Sequence, residues 1–517
     1  MKGKSFIFKY LIIILFLFPL IYTTRAQDSL YLVGTITGES NEKRINVVRA
    51  IGDINGDGYD DFIISYRNGN VPRDQGIIKL YFGSANFDLT PDIIFHYPGN
   101  DYLNDFSDGY GVGDVNNDGY NDFVLCGSFA SPLPKGKVFL YYGGETIDTI
   151  PVAEFYQPNS STDNFGYPIV RLGDINKDEY ADFAICSSGP NVEGDVYFFW
   201  GGDTISWDRS ITFTSDSVGD GFGASIANVG DINNDRFDDI AIGAPIGSFY
   251  SAYGRVYFYF GGLQIDNLPD TILKSSNPGD EFGRIIKNAG DLNSDGVTDF
   301  CVAGYPGIYI FTNGFNEPFS VNGYNIDAGG DINNDGFDDL IVGDDWKIKI
   351  YLGSENFDTT YDLSIADIDS LGFTGDISFA GDINDDGYDD IFALAPYFPD
   401  PDNPLGKVFI YSYEKINSVH PLEDNHSYHF QLYQNYPNPF NPVTILNWQL
   451  ESQAYVSLII YDILGNQIAT LVNEERLAGK YETEFNASKY NLSSGIYFCK
   501  LKIKGGGSST IKMILLK

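Results

Sequence analysis

Cysteine, histidine and basic side chains are the scarce materials of this 517-residue chain. Its four cysteines, Cys126, Cys186, Cys301 and Cys499, form neither a disulfide framework nor a metal-binding motif. Cys126 and Cys186 stand at the same place in neighbouring repeats, where side chains point the same way without meeting, so they read as small core residues. Lys and Arg total 32 against 71 Asp and Glu, a net charge of −39. A nucleic-acid partner demands a basic footprint, which is missing here. The acidic excess reads instead as a solvated surface. Three of the four histidines, His420, His426 and His429, share one polar stretch, and only His96 lies among the repeats. No Ser or Cys stands in a nucleophile motif, so no catalytic constellation emerges and the chain reads as a non-enzyme. A membrane-spanning run is lacking too. Residues 11–21 (LIIILFLFPLI) are too short to cross a bilayer comfortably and are broken by Pro19. With Lys2, Lys4 and Lys9 before them and Thr24-Arg25-Ala26 after, residues 1–26 read as a cleavable secretory signal. The expectation is a secreted or surface protein with no transmembrane segment in the mature chain.

Aspartate is what the chain has in abundance, and it is placed with regularity. Residues 53–61 read DINGDGYDD, and the same nine-residue loop recurs at 114–122, 174–182, 231–239, 291–299, 331–339 and 382–390. Loop starts are 61, 60, 57, 60, 40 and 51 residues apart, an internal repeat that takes precedence over any local reading. Oxygen-bearing side chains at alternate positions of a tight turn converge on one point, which suits a hard cation such as Ca2+ with its six to eight oxygen ligands at ~2.3–2.6 Å. Positions one, three, five and nine supply side chains, and position seven supplies a backbone carbonyl. The candidate ligands are Asp53, Asn55, Asp57, Tyr59 and Asp61 in the first loop, and Asp114, Asn116, Asp118, Tyr120 and Asp122 in the second. The third has Asp174, Asn176, Asp178, Tyr180 and Asp182, and the fourth Asp231, Asn233, Asp235, Phe237 and Asp239. The fifth has Asp291, Asn293, Asp295, Val297 and Asp299, and the sixth Asp331, Asn333, Asp335, Phe337 and Asp339. The seventh has Asp382, Asn384, Asp386, Tyr388 and Asp390. An EF-hand is excluded, because position twelve is Ile64 or Leu125 where that motif needs a bidentate Glu. Position six is Gly except at Glu179 and Arg236, whose loops are expected to bind more weakly. Turns of Asp, Asn and Gly with no metal are the plainer alternative, but turn chemistry alone does not demand Asp at three fixed places.

Each loop leads into a short apolar run (DFIISY, DFVLCG, DIAIGAP and their counterparts), which reads as a buried strand. A second strand signature follows downstream, as in GKVFLYYGG at 136–144 and GRVYFYFGG at 254–262. The 37 Tyr and 39 Phe suit strands packed face to face. Such units cannot bury both sheet faces alone, so radial stacking is expected, with an open solenoid as the alternative. No fourth strand follows 406–414, so residues 30–37 (LYLVGTIT) are predicted to complete the last blade and close the ring. The phrase FGASIANVGDINNDRFDDIAIGAP at 222–245 resembles the FG-GAP repeat of integrin α-subunit heads. That resemblance implies an all-β, seven-bladed β-propeller over residues 28–413, with the metal loop joining the first two strands of each blade. It also implies a ligand face opposite the metal loops, built by segments such as 127–136, 245–254 and 396–406. Phe129, Phe249, Tyr250, Tyr253, Tyr397 and Phe398 there are suited to stacking on sugars or gripping a protein.

Residues 414–430 read as a linker, and residues 431–517 shift in composition: the Asp loops vanish and Lys rises. VSLIIYD and QIATLV flank a Gly465-Asn466 turn, and GIYFCKLKI precedes TIKMILL, so two hairpins of a small C-terminal β-sandwich are expected. YPNPFNP, IYDILGNQI, LSSGIYFCKL and the final KMILLK resemble the C-terminal sorting domain of the type IX secretion system. This implies export across an outer membrane by that machinery, then release or attachment at the cell surface. The expected role is binding of a protein or glycan in adhesion. A polysaccharide lyase or hydrolase built on the propeller axis, or a structural surface component, is the alternative.

Overall fold

The computed structural model describes residues 29–516 apart from 39–43, 68–75, 86, 99–104, 129–135, 157–163, 189–193, 207–208, 216–218, 246–252, 306, 345–346, 367–371, 400–403, 415–429, 434, 451–453, 462–466, 478, 491 and 504–507. The predicted signal at 1–26 and the three linker histidines lie outside the described residues.

Seven four-stranded antiparallel sheets follow one another along the chain up to Glu414. The first consists of Arg44–Gly52, Asp61–Arg67, Ile77–Tyr81 and Ile93–His96, paired in that order. The next five repeat the plan, with innermost strands Asp105–Gly113, Asn164–Gly173, Ser225–Gly230, Ile285–Gly290 and Asn325–Gly330. The seventh takes Asp376–Gly381, Asp390–Ala395 and Lys407–Glu414 from the end of the array and Ser29–Thr37 from its beginning. Leu30 pairs with Tyr413 and Thr37 with Lys407, so the expected closing strand is in place. The innermost strands pack each on the next, and that of the seventh sheet packs back on that of the first. The array is therefore a closed seven-bladed propeller and not an open solenoid.

The packing explains why closure is required. Successive residues of a strand face opposite sides of its sheet, and here both sides are apolar. In the first blade Phe62 and Ile64 face the seventh blade, with Phe392 and Leu394, while Ile63 faces the second, with Phe123 and Leu125. Every pair of neighbouring blades shares one such buried cluster, seven in all. The aromatic abundance goes into cross-strand pairs just beyond the loops. Phe62 stacks on Tyr81 at 4.8 Å between ring centroids, Phe123 on Tyr141 at 5.3 Å, Phe183 on Phe199 at 5.2 Å and Phe300 on Phe311 at 4.7 Å. The Phe-Gly pairs have a matching role. Phe222 and Phe282 are buried, and a Cβ on Gly194 or Gly254 of the preceding blade would come within 1.9 Å of the Phe222 carbonyl oxygen or 2.3 Å of that of Phe282. Cys126, Cys186, Cys301 and Cys499 are all buried free thiols, as expected.

Residues 430–516 form two further sheets. Phe430–Leu432, Val443–Leu450 and Gly479–Asn486 make one, and Gln467–Arg476, Ala454–Tyr461, Gly495–Ile503 and Ser508–Leu515 the other. Both expected hairpins are present, around a core that includes Trp448, Leu458 and Met513. The YPNPFNP stretch at 436–442 is held by the asparagine before it and by the first within it. Buried Asn435 donates to the Pro437 carbonyl and the Thr444 hydroxyl. Asn438 accepts from the Ile514 amide at 2.8 Å and donates to the Lys512 carbonyl, pinning the last strand.

Gly254→Ala should lower propeller stability by about 1–3 kcal/mol, the usual range for overpacking a filled site. Urea unfolding checks this, and an unshifted midpoint would mean that the fourth and fifth blades do not meet as described.

Candidate metal loops and the opposite face

All seven acidic loops join the first and second strands of a blade, so all lie on one face of the ring. Their local geometry repeats. The first-position Asp takes the amides of positions five and six: Asp53 accepts from Asp57 at 3.2 Å and Gly58 at 2.9 Å, and Asp331 from Asp335 at 3.1 Å and Gly336 at 2.8 Å. The fifth-position Asp takes the amide of position seven in every loop. Position six has positive φ throughout, and Glu179 (φ 74°) and Arg236 (φ 78°) adopt it despite their side chains. A Cβ at Gly58, Gly119, Gly296, Gly336 or Gly387 meets nothing within 4 Å. The departures at Glu179 and Arg236 therefore cost backbone strain only, on the order of 1 kcal/mol. Position four is also left-handed, at φ 50–63° for Asn117, Lys177, Asn234, Ser294, Asn334 and Asp385. Sequence reasoning missed this, although Asn, Asp or Gly stands there in five of the seven copies.

The ninth-position Asp differs from the others, with at most 1% exposure in all seven blades. One oxygen of Asp61 accepts from the Ile54 amide at 3.0 Å and the other from the Gly83 amide at 2.9 Å, so one carboxylate ties loop start, second strand and the turn after the third strand. Asp122, Asp239 and Asp339 repeat both bonds. Burial, with the other carboxylates of the loop, pushes Asp61, Asp339 and Asp390 up to about 8 and Asp122, Asp182, Asp239 and Asp299 up to about 7.

The fit of these residues to a cation can be tested on what the loops lack. Among the described residues, no Lys or Arg forms an ion pair with a loop Asp. Three buried acceptors have no donor: Asn176 Oδ1 and Asp182 Oδ2 in the third loop and Asp299 Oδ1 in the fifth. Carboxylates without counter-charge and buried oxygens without donors suit a divalent cation. As placed, the acids point at backbone amides, and no three His, Cys, Asp or Glu among the described residues converge closely enough to grip an ion.

Position eight stitches the loops to one another. Asp338 accepts from the Asp291 amide of the preceding blade at 2.8 Å, and Asp389 from the Asp331 amide at 2.9 Å. Asn121 donates to the Asp53 carbonyl at 3.1 Å. These residues were also missed by sequence reasoning, though Asp or Asn occupies that position in five copies.

The opposite face carries a different chemistry. Tyr167, Tyr253, Tyr305, Tyr324 and Tyr397 stand 37–56% exposed on it, at inner-strand starts and at connections between second and third strands or between blades. Tyr305 and Tyr324 lie 6.3 Å apart between centroids, with the Arg284 guanidinium over Tyr305. Arg49 joins three innermost strands, pairing with Asp108 at 3.5 Å and with Asp376. Of the expected contact aromatics, Phe129, Phe249 and Tyr250 lie outside the described residues. Phe398 does not stand free: its ring packs on the core between the sixth and seventh blades, under the Lys407 ammonium.

The family model for the FG-GAP repeat matches residues 222–259, the fourth blade, and that for the secretion system C-terminal sorting domain matches residues 434–517. The chain carries FG-GAP repeats and a C-terminal sorting domain. Among curated proteins it is similar to integrin alpha-6 of Gallus gallus, 30% identical over 221 residues, which is 40% of this chain and 19% of the relative. It is also similar to integrin alpha-5 of Xenopus laevis, 28% identical over 36% of this chain and 20% of the relative. The matched part of the chain thus spans about a fifth of the length of these integrin subunits. Its sorting domain marks it for secretion and the cell surface. No helix among the described residues is long and apolar enough to cross a membrane.

Gly336→Ala should cost about 1 kcal/mol and Glu179→Gly should gain up to about 1 kcal/mol, because both act through a left-handed backbone position in open space. Paired urea titrations in chelator read both. Equal midpoints for the two variants would contradict the strain argument.

Proposed function

We propose that this protein is an exported, calcium-stabilised propeller that binds a protein or glycan ligand on the face opposite its acidic loops. The observation that carries the reading is the division of the two faces. Uncompensated carboxylates crowd one, and exposed tyrosines flanked by Arg284 and Lys274 occupy the other. Tyrosine offers a flat apolar body with a polar tip, which serves sugar and protein surfaces alike. The integrin-like repeats and the sorting domain support an adhesive role outside the cell.

Positions one, three, five, seven and nine of each loop hold the cation in this reading. A bound Ca2+ supplies the positive charge that the loop lacks. The residues themselves set its strength. The left-handed Glu179 and Arg236 tax their loops, and the buried ninth Asp transmits occupancy to the strand and turn it ties together. The ligand-binding reading is preferred to a catalytic one because the aromatics on the open face offer grip and no described nucleophile is set among them.

Two measurements test this. Elemental analysis of the purified mature protein should find calcium, and chelation should lower the melting temperature, since each site filled at a hundredfold excess over its dissociation constant adds about 2.7 kcal/mol. Asp335→Ala, in a loop with Gly at position six, should remove more of this stabilisation than Asp178→Ala. Absence of bound metal with a chelator-insensitive melting curve would overturn the calcium reading. Separately, the propeller should bind saturably on a panel of glycans and extracellular proteins, and Tyr305→Ala with Tyr324→Ala should weaken that binding by about tenfold, as loss of an aromatic hot spot does. Depolymerisation of a polysaccharide on the same panel would establish the enzymatic alternative.

A further inference from the structure

The seventh acidic loop is built differently from the first, second, fourth and sixth, and the difference involves the other end of the propeller's chain. In the first, second, fourth and sixth loops, the third-position Asn donates its amide to the fifth-position Asp at 2.9 Å. In the seventh, Asp386 Oδ2 instead accepts two hydroxyls: Tyr31 at 2.8 Å and Ser412 at 2.7 Å. Asn384 donates instead to the ninth-position Asp390 at 3.1 Å, as the fifth loop's Asn293 donates elsewhere, to the Thr312 carbonyl. Tyr31 and Ser412 are themselves cross-strand partners, Tyr31 on the closing strand Ser29–Thr37 and Ser412 on Lys407–Glu414. The register places Phe82, Tyr142, Trp200, Phe260, Thr312 and Leu352 where Ser412 stands, just past the residues that pair with the tenth position of each loop. Ser412 is smaller than all of these and is buried to 0% exposure. The closing strand is also nine residues long where other outer strands have four or five, and Tyr31 lies in that extra length, at the end nearest the loops.

We propose that Tyr31 and Ser412 are positioning residues for the seventh metal site, so that calcium loading there and docking of the closing strand reinforce each other. This rests on the reading of the loops as calcium sites. Two hydroxyl donors on Oδ2 and the Tyr388 amide on Oδ1 together fix the carboxylate's rotation. Outer donors of this kind orient metal-binding carboxylates and hold them as anions. By linkage, whatever factor Tyr31 adds to calcium affinity at the seventh loop, calcium adds to the closing of the ring by the strand that carries Tyr31. The other blades have no such coupling, because their outer strands are covalently continuous with the strand they pair with. Calcium would act there within a blade, and at the seventh blade on the integrity of the whole ring.

Hydrogen exchange on the full chain, followed by peptide across a calcium titration, tests the inference with Tyr31→Phe and Ser412→Ala. Phe keeps the ring of Tyr31 and removes only the donor. In the wild type, calcium should slow exchange in residues 30–36 together with residues 382–390. In either variant the calcium concentration for half-protection of both segments should rise about tenfold, the effect of one hydrogen bond to a charged group, while that of loop 331–339 stays unchanged. Protection of 382–390 at unaltered calcium concentration in both variants would overturn the proposal, and so would a shift of equal size at 331–339. Calcium that protects no loop in the wild type would instead bring down the calcium reading on which the proposal stands. Thermal unfolding of each variant in calcium confirms that the propeller is folded when compared.

Discussion

A fully buried carboxylate at the end of each acidic loop is the constraint on which the propeller's organisation depends. Asp61 and its six counterparts have no more than 1% exposure, and in most blades each oxygen is committed to a different backbone segment. Removing an ionised group from water is costly unless hydrogen bonds or a counter-charge compensate. Two amides compensate in part, and the elevated pKa of these groups marks what is left over. The arrangement uses that residue of unfavourable energy. In the calcium reading proposed above, a cation would offset that cost and tighten the tie between loop, strand and turn.

The second constraint is geometric. Blades with apolar side chains on both faces have nothing to bury their outermost faces against unless the first meets the last. The seven clusters between neighbours are equivalent in kind, and the one between the seventh and first blades includes Ile36 from the closing strand. Closure is thus a condition of the core and is reached by a noncovalent strand. Loop-to-loop bonds run around the same rim, from Asn121 to Asp53 and from Asp389 to Asp331. The acidic face is therefore a belt in which most neighbouring loops are bonded to one another.

Much of this was legible in the sequence because it repeats. Three fixed aspartates in seven copies expose the period, the apolar run after each copy exposes the second strand, and the missing fourth strand after Lys407–Glu414 forces the closing strand to come from residues 30–37. The C-terminal hairpins were readable from their turn residues. What stayed hidden was whatever depends on a neighbour. Position eight looks like one more acid in an acidic loop, and only the ring places Asp338 against the amide of Asp291. The left-handed fourth position is masked by Lys177 and Ser294, which no turn preference suggests. Phe398 reads as a surface aromatic in a Pro-rich loop, but packing claims it. The approach of Tyr31 to Asp386 spans 355 residues of sequence, and no local pattern announces it.

The two faces of the ring also divide the work that sequence must do. On the belt, almost every side chain is committed to the backbone of its own or a neighbouring loop, so a substitution there acts on stability first. On the opposite face two of the five exposed tyrosines lean on single cations, Tyr253 under Lys274 and Tyr305 under Arg284. Among the described residues of the connections between second and third strands, Leu405 and Gly406 of the seventh blade accept from the Ile45 and Gly38 amides and so help to hold the closing strand. Loops on a rigid scaffold are where length and composition vary most easily, which is the condition under which a scaffold can change its ligand while keeping its fold. A protein exported to the cell surface gains from that separation. In the reading proposed above, a cation would set the rigidity of the frame from one side, and recognition would be left to residues on the other.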